Sequence, residues 1–240
     1  IALPNTVLNT AVAESFRQFA DILEKAPDFD AALTALIRDT LKAHSRIVFN
    51  GNGYSAEWET EAARRGLSNL RDSVAAYAVL AEEKNIRLFA DHGVMSRSEL
   101  VSRQEILYEN YAKVINIEAQ TMLEMAQKDI IPAVNRYLGE VASTAAAKTA
   151  VVKTADITAE TDLISRLSAL VGGSYRAAEA LRTADTEAKK RPVGKECATA
   201  FRDEVLPAMR KLRALVDEME TLPATEYWPM PTYGDLMFRV

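Results

Sequence analysis

The segment 109–125, ENYAKVINIEAQTMLEM, places a carboxylate where helical periodicity asks for an apolar side chain. At about 100° of turn per residue, Tyr111, Val114, Met122 and Met125 lie seven and four positions to either side of Glu118 and stack over its face. Glu109, Lys113, Asn116, Gln120 and Glu124 fall opposite, on what reads as the wet side. An ionised carboxylate in such an arc must be paired, hydrogen-bonded or neutralised. One chemistry is a catalytic or metal-binding acid. The other is a structural carboxylate, tied to an arginine or to backbone N–H groups of a neighbouring helix, and Arg103 projects toward the same side. Catalysis needs a second polar group converging on the acid, and the nearby sequence supplies none. The spacing therefore predicts that Glu118 is buried and structurally paired.

The remaining reactive residue types are sparse. His44 and His92 are far apart, and neither has a cysteine or second histidine at ligand spacing, which argues against structural zinc. Each sits near an expected helix end, where an imidazole can cap carbonyls. Cys197 is alone in the sequence, so no internal disulfide can form and a cytosolic setting is the simple expectation. The glycines of NGNGYSAEW, residues 50–58, lack the spacing of a phosphate-binding loop and read as a turn in left-handed conformations.

Composition narrows the classes further. The 240 residues are 48% hydrophobic and carry a net charge of −5, enough for a sizeable core and contrary to a nucleic-acid footprint. No run approaches the roughly 18 apolar residues of a membrane helix, and no secretory leader is visible. The chain opens on Ile1, as a piece of a larger polypeptide would.

The elements that must position these residues are helices. Leu8, Val12, Phe16, Phe19 and Leu23 form a 3.6-period stripe ended by Pro27, and Asp28 or Asp30 can cap a second helix bearing Leu33, Leu36, Ile37 and Leu41. RIVF, residues 46–49, is β-like but isolated. Ser55 caps a helix closed by Gly66, a shorter helical region covers 74–83, and Gly93 closes the next piece. Ser96 and Glu99 form a capping box opening the long helix that holds Glu118, with Pro132 expected to kink or interrupt it. Thr158 can cap another long helix, in which Leu163, Leu167, Leu170, Ser174, Ala177 and Leu181 step in the coiled-coil rhythm. After Pro192 and Gly194, Ala208, Leu212, Leu215, Met219 and Leu222 repeat it, suggesting an antiparallel hairpin. The tail 227–240 holds two prolines and a dense apolar set including Trp228, Tyr233 and Phe238. Free in water it would be a liability, so it should dock on this chain or on a neighbouring subunit. The expected fold class is all-α: a helical body 1–152, a coiled-coil-like helical hairpin 153–223 and an irregular aromatic docking tail 224–240.

LNTAVAES, RIVFNGNGYSAEWETEAARRGL, DHGVMSRSEL, SRQEILYENYAKVINIEAQTMLEMAQKDIIPA and YWPMPTYGDLMF, in this order, resemble the C-terminal region of type III glutamine synthetases. The resemblance covers almost the whole chain and is least distinctive over 144–221. It implies part of a glutamate–ammonia ligase of nitrogen assimilation, which uses ATP and divalent magnesium or manganese and passes through a γ-glutamyl phosphate. It further implies that the metal-binding glutamates and phosphate-binding basic residues lie upstream, on a β-sheet. No catalytic, cofactor-binding or metal residue is therefore assigned here; Glu118, Arg103, Trp228, Tyr233 and Phe238 are structural candidates. The implied partners are the chain's own upstream catalytic domain and neighbouring subunits of a cytoplasmic homo-oligomer, without nucleic acid or membrane. The alternative is a stand-alone helical interaction module with no catalysis.

Overall fold

The computed structural model describes residues 2–231 and 233–238. Among them the fold is all-α, with no strand, and the chain divides into two compact units, Ile1–Leu107 and Tyr108–Val240.

The first unit combines the long α1 with shorter helices that carry strong local punctuation. α1 (Ala2–Leu23) packs on α2 (Phe29–Ala43), whose first turn is capped by Asp28 accepting from the Ala31 N–H at 3.1 Å. Ser55 caps α3 (Ala56–Arg64) through the Trp58 N–H, and Asp72 caps α4 (Ser73–Leu80) through the Ala75 N–H. α5 (Glu83–Asp91) follows. Gly66 at φ 69° and Gly93 at φ 60° close α3 and α5 in the left-handed conformation that favours glycine. One core cluster of this unit is Ile86, Phe89 and Leu100, with Val7, Leu80, Ala81 and Met95 against them, and Val74 is buried as well.

The RIVF segment is not a strand. Ser45–Ile47 forms a 3₁₀ turn, and the Arg65 guanidinium donates to the carbonyls of Arg46 at 3.1 Å and Val48 at 2.7 Å. Those are the acceptors a strand partner would need. Phe49 stacks on Trp58 with ring centroids 4.4 Å apart, and Arg65 lies 5.8 Å from each ring.

α6 (Arg97–Glu124) opens with the expected box: the Ser96 N–H donates to Glu99 at 2.8 Å, and the Glu99 N–H to Ser96 Oγ at 3.3 Å. Leu100 belongs to the first unit's core, whereas Ala112, Ala119 and Leu123 belong to the second's. Pro132 does not interrupt the helical path. A π-helical stretch, Met125–Ile130, joins α6 to α7 (Ile131–Val151) and ends two residues before Pro132. The wider turn moves the carbonyl that the ring would strike and spares the donor that proline lacks. The same device recurs downstream, where the π stretch Phe201–Val205 ends two residues before Pro207.

α8 (Thr158–Ala188) does not use Thr158 as its cap: the N-cap position is Ile157, without a side-chain capping bond, and Asp156 just before it accepts from the Thr158 N–H at 2.9 Å. Leu167, Leu170, Ser174, Ala177 and Leu181 are buried in the expected rhythm, as is Ala188 further along it, with Asp185 buried one position beside it. α9 (Lys195–Ala200) starts after Gly194 at φ 104° and runs through the π stretch into α10 (Leu206–Glu220). α8 packs on both α7 and α10, so the helical hairpin has a third member in the long helix before it. Two clusters among the described residues build much of this unit's core. One joins Ala112, Ala119, Leu123 and Ala126 to Leu181, Phe201, Val205 and Leu212; the other joins Ile130 and Val134 to Leu167, Leu170 and Met219. Past α10 the tail makes a 3₁₀ turn, Thr225–Tyr227, and ends in a short helix, α11 (Tyr233–Phe238), formed after the two prolines. Among the described residues no helix is long and apolar enough to cross a membrane.

Candidate functional site

Glu118 is exposed, which corrects the expectation of burial. The face of α6 that packs inward is one of small side chains, Ala112, Ala119 and Ala126 with Leu123. Small residues let neighbouring helices approach closely, and they define the seam although they contribute little hydrophobicity. The arc of larger residues is therefore split. Tyr111, Ile115 and Met122 pack partly against the core, while Val114, Ile117 and Met125 stay exposed beside Glu118. Glu118 stands in an apolar surface stripe.

That stripe borders a groove of about 500 Å³ between α6, the first π stretch and α10. Met122, Met125, Ile130, Met209, Leu212 and Val216 supply an apolar floor and walls. Glu118, Thr121, Arg213 and Asp217 supply the polar lining, with Arg213 paired to Asp217 at 3.2 Å. Methionine walls adapt their shape to an incoming side chain, and the groove suits an amphipathic segment.

Arg103 is not Glu118's partner. At 1.5 Å rise per residue the two positions are separated by about 22 Å along one helix. Arg103 is exposed and acts on Glu99, one turn before it, helping to hold that carboxyl below its ordinary pKa after the hydrogen bonds from Ser96.

The tail divides in two. Trp228 packs against the cluster around Ile130, Val134, Leu167 and Met219, and Tyr227 lies 5.1 Å from the Tyr137 ring. The Trp228 indole Nε1 is buried without a hydrogen-bond partner. Phe238 does not dock on its own chain: it is 78% exposed, beside Leu236 at 67% and Met237 at 68%. The Tyr233 side chain lies outside the described residues.

Sequence reasoning missed Asp185, which is 2% exposed. Its Oδ2 accepts from Gln120 Nε2 at 2.7 Å and Lys189 Nζ at 2.6 Å, and its Oδ1 is buried without a partner. The 4-3 rhythm runs from Leu181 to Ala184 and Ala188 and steps over Asp185, which is buried one position beside the seam, so that rhythm carries no signal for it. Gln120, assigned by periodicity to the wet face, reaches inward to it.

The histidines serve structure. His44 and His92 occupy the C-terminal positions of α2 and α5, where their backbone N–H groups bond the last carbonyls. The His92 ring meets Glu14 at 2.8 Å, and Glu14 is held far below the usual carboxylate range by hydrogen bonds from Arg17, then Gln18 and His92. Burial raises the Cys197 thiol, whose Sγ faces the Ala188 carbonyl at 3.6 Å, the opposite of an activated nucleophile.

Among the described residues no three His, Cys, Asp or Glu side chains gather to hold an ion. Gly51 is small for packing: a Cβ there would lie 2.6 Å from the Phe49 ring. What the first unit does present is apolar surface. Phe16, Phe19, Leu23, Leu33, Leu36, Ile37 and Leu41 line an open groove between α1 and α2 whose exposed lining is almost wholly apolar.

The family described as glutamine synthetase C-terminal domain matches residues 32–149. The chain is similar to a type-3 glutamine synthetase of Dictyostelium discoideum, 33% identical over 245 residues, covering 99% of this chain and 33% of that protein. It is also similar to a glutamine synthetase of Butyrivibrio fibrisolvens, 34% identical over 205 residues, covering 85% of this chain and 29% of that protein. A glutamine synthetase of Bacteroides fragilis is 26% identical over 242 residues, covering 96% of the chain and 33% of that protein. The chain thus spans about a third of the length of the relatives it matches. It belongs to the glutamine synthetase family, as a C-terminal segment of the type III kind.

Proposed function

We propose that this chain is the structural and assembly region of a cytoplasmic glutamate–ammonia ligase, whose ATP- and metal-dependent chemistry is carried by residues upstream of it. The observation that carries the reading is the match along nearly the whole chain to an enzyme three times as long. In this reading the chain contributes no catalytic group. It packs against the catalytic region and holds subunits together in a homo-oligomer. The α1–α2 groove, with Phe16 67% exposed and Leu41 64% exposed, is the surface assigned to the catalytic region of the same polypeptide. Apolar surface of this extent calls for a cover.

Two measurements test this. Full-length protein given glutamate, ammonia, ATP and magnesium should form glutamine, and the 240-residue chain alone should form none. Hydrogen exchange should show α1 and α2 more protected in the full-length protein than in the 240-residue chain. Turnover by the isolated chain would refute the division of labour, and unchanged protection would refute the assigned surface. A full-length protein without ligase activity would leave the helical interaction module as the better reading.

A further inference from the structure

We infer that a cleft beside the turn between α8 and α9 binds a small zwitterion with an apolar body, of the α-amino acid class. The cleft has a volume of about 190 Å³ and lies wholly within the unit Tyr108–Val240. One wall is α6, with Lys113 and Asn116. The other is the turn 189–194, with Arg191 and Val193, backed by Phe201 where the second π stretch begins. Such stretches inside α-helices are frequent at functional sites. The site is separate from the assembly reading above, because none of these residues lines the α1–α2 groove or the Glu118 groove.

Three observations define the ligand. First, the Asn116 Oδ1 is buried without a hydrogen-bond partner. An unmade buried acceptor is costly. Turning the amide over brings this oxygen to the cleft, where a ligand N–H can pair with it. Second, the charges balance. Lys113, Lys189 and Arg191 line the cleft, and each already meets an acid: Glu109 at 3.0 Å, Asp185 at 2.6 Å and Glu204 at 3.5 Å. Surroundings of this kind select neither a bare anion nor a bare cation. Arg191 and Lys113 are exposed and keep N–H donors that these contacts leave unused, enough to hold a carboxylate. Lys113 and Asn116 are i,i+3 neighbours on one helix face. A carboxylate on the first and an ammonium on the second are therefore within reach of one α-carbon. Third, the rest of the lining is apolar. Val193 stands 76% exposed at the mouth, with Ala112 and Phe201 behind it. An aliphatic side chain lying there takes Val193 and itself out of water.

The experiment titrates L-leucine into the full-length protein and follows heat and amide hydrogen exchange together. Saturable binding is expected, with exchange slowed across 109–116 and 189–201. 4-Methylpentanoate lacks the ammonium and 3-methylbutylamine lacks the carboxylate; each should bind about tenfold more weakly than leucine. Asn116→Leu and Arg191→Gln should each weaken leucine by a similar factor. Arg191 is exposed, so Arg191→Gln should keep the parent's melting temperature, which separates lost binding from lost structure. No saturable leucine binding, protection confined to other segments, or full affinity in Arg191→Gln overturns the inference. Binding of the pentanoate or the amine as tight as that of leucine overturns the zwitterion class, leaving a site that reads only one charge.

Discussion

In the unit Tyr108–Val240, Ala119, Leu181, Leu212 and Met219 are completely or almost completely buried, whereas in the unit Ile1–Leu107 the large residues Leu8, Phe16, Phe29 and Leu41 are each more than half exposed. Both are helical and both carry amphipathic stripes, so helix-forming power does not separate them. The second unit has long helices that cover one another's stripes, α8 lying between α7 and α10. The first joins the long α1 to helices held by caps, turn glycines and ion pairs, and its α1–α2 pair presents a stripe that nothing within the unit covers. Local order and core burial are separate achievements. A region can have the first in full and still depend on a neighbour for the second.

The largest expected effect contrasts the two units directly. Phe201→Ala should cost about 3–5 kcal/mol of unfolding free energy in the 240-residue chain, because Phe201 is 2% exposed in the main cluster. Phe16→Ala in the same chain should change it by no more than about 0.5 kcal/mol. Urea titrations of both variants make the comparison, and equal losses would erase it. In full-length protein the Phe16 variant should become costly too.

The tail repeats the contrast over ten residues. Trp228→Ala should cost about 1.5–3 kcal/mol, and Phe238→Ala should leave the melting temperature of the monomeric chain unchanged. Trp228→Phe sharpens the point. It keeps one aromatic ring while removing the unpartnered Nε1 together with part of the indole, so it should cost clearly less than Trp228→Ala.

Asp185→Asn should cost about 1–3 kcal/mol, since it weakens charge-assisted bonds from Gln120 and Lys189 in a buried seam. An unchanged denaturation midpoint would mean that water reaches the carboxylate.

Acid should act on the first unit's punctuation. The Glu61 carboxyl is held at about 2, against 4.5 ordinarily, by hydrogen bonds from Arg64 and then Arg65. A lowered folded-state pKa contributes stability that is fully present above about pH 4.5 and fades as pH falls toward 2. The melting temperature should therefore drop across that window, and Glu61→Gln should flatten the drop. An identical slope in the variant would show that the Arg65–Glu61 contact does not set the acid response. The smallest effect belongs to Glu118→Ala, which should move the stability of the isolated chain by no more than about 0.5 kcal/mol; a larger loss would return Glu118 to the core.

What the sequence determined by itself is whatever a few neighbouring residues can satisfy. Asp28, Ser55 and the Ser96–Glu99 box capped the helices where their side chains sit, and Gly66 and Gly93 closed theirs, because each reaches only the next turn of its own backbone. The heptad step through Leu167 and Leu181 was legible for the same reason, as its period survives any arrangement of neighbours. Tertiary structure decided which edge of each stripe was covered. The apolar arc of α6 is wider than one helix contact, and the partner helix took the edge marked by small alanines, leaving Glu118 outside and drawing Gln120 in toward Asp185. It also decided that RIVF would curl under Arg65, and that Pro132 and Pro207 would be absorbed by π turns. It held Trp228 and released Phe238, though both are large aromatics in one tail. Burial belongs to pairs of surfaces, and a single helix's periodicity describes only one of the two.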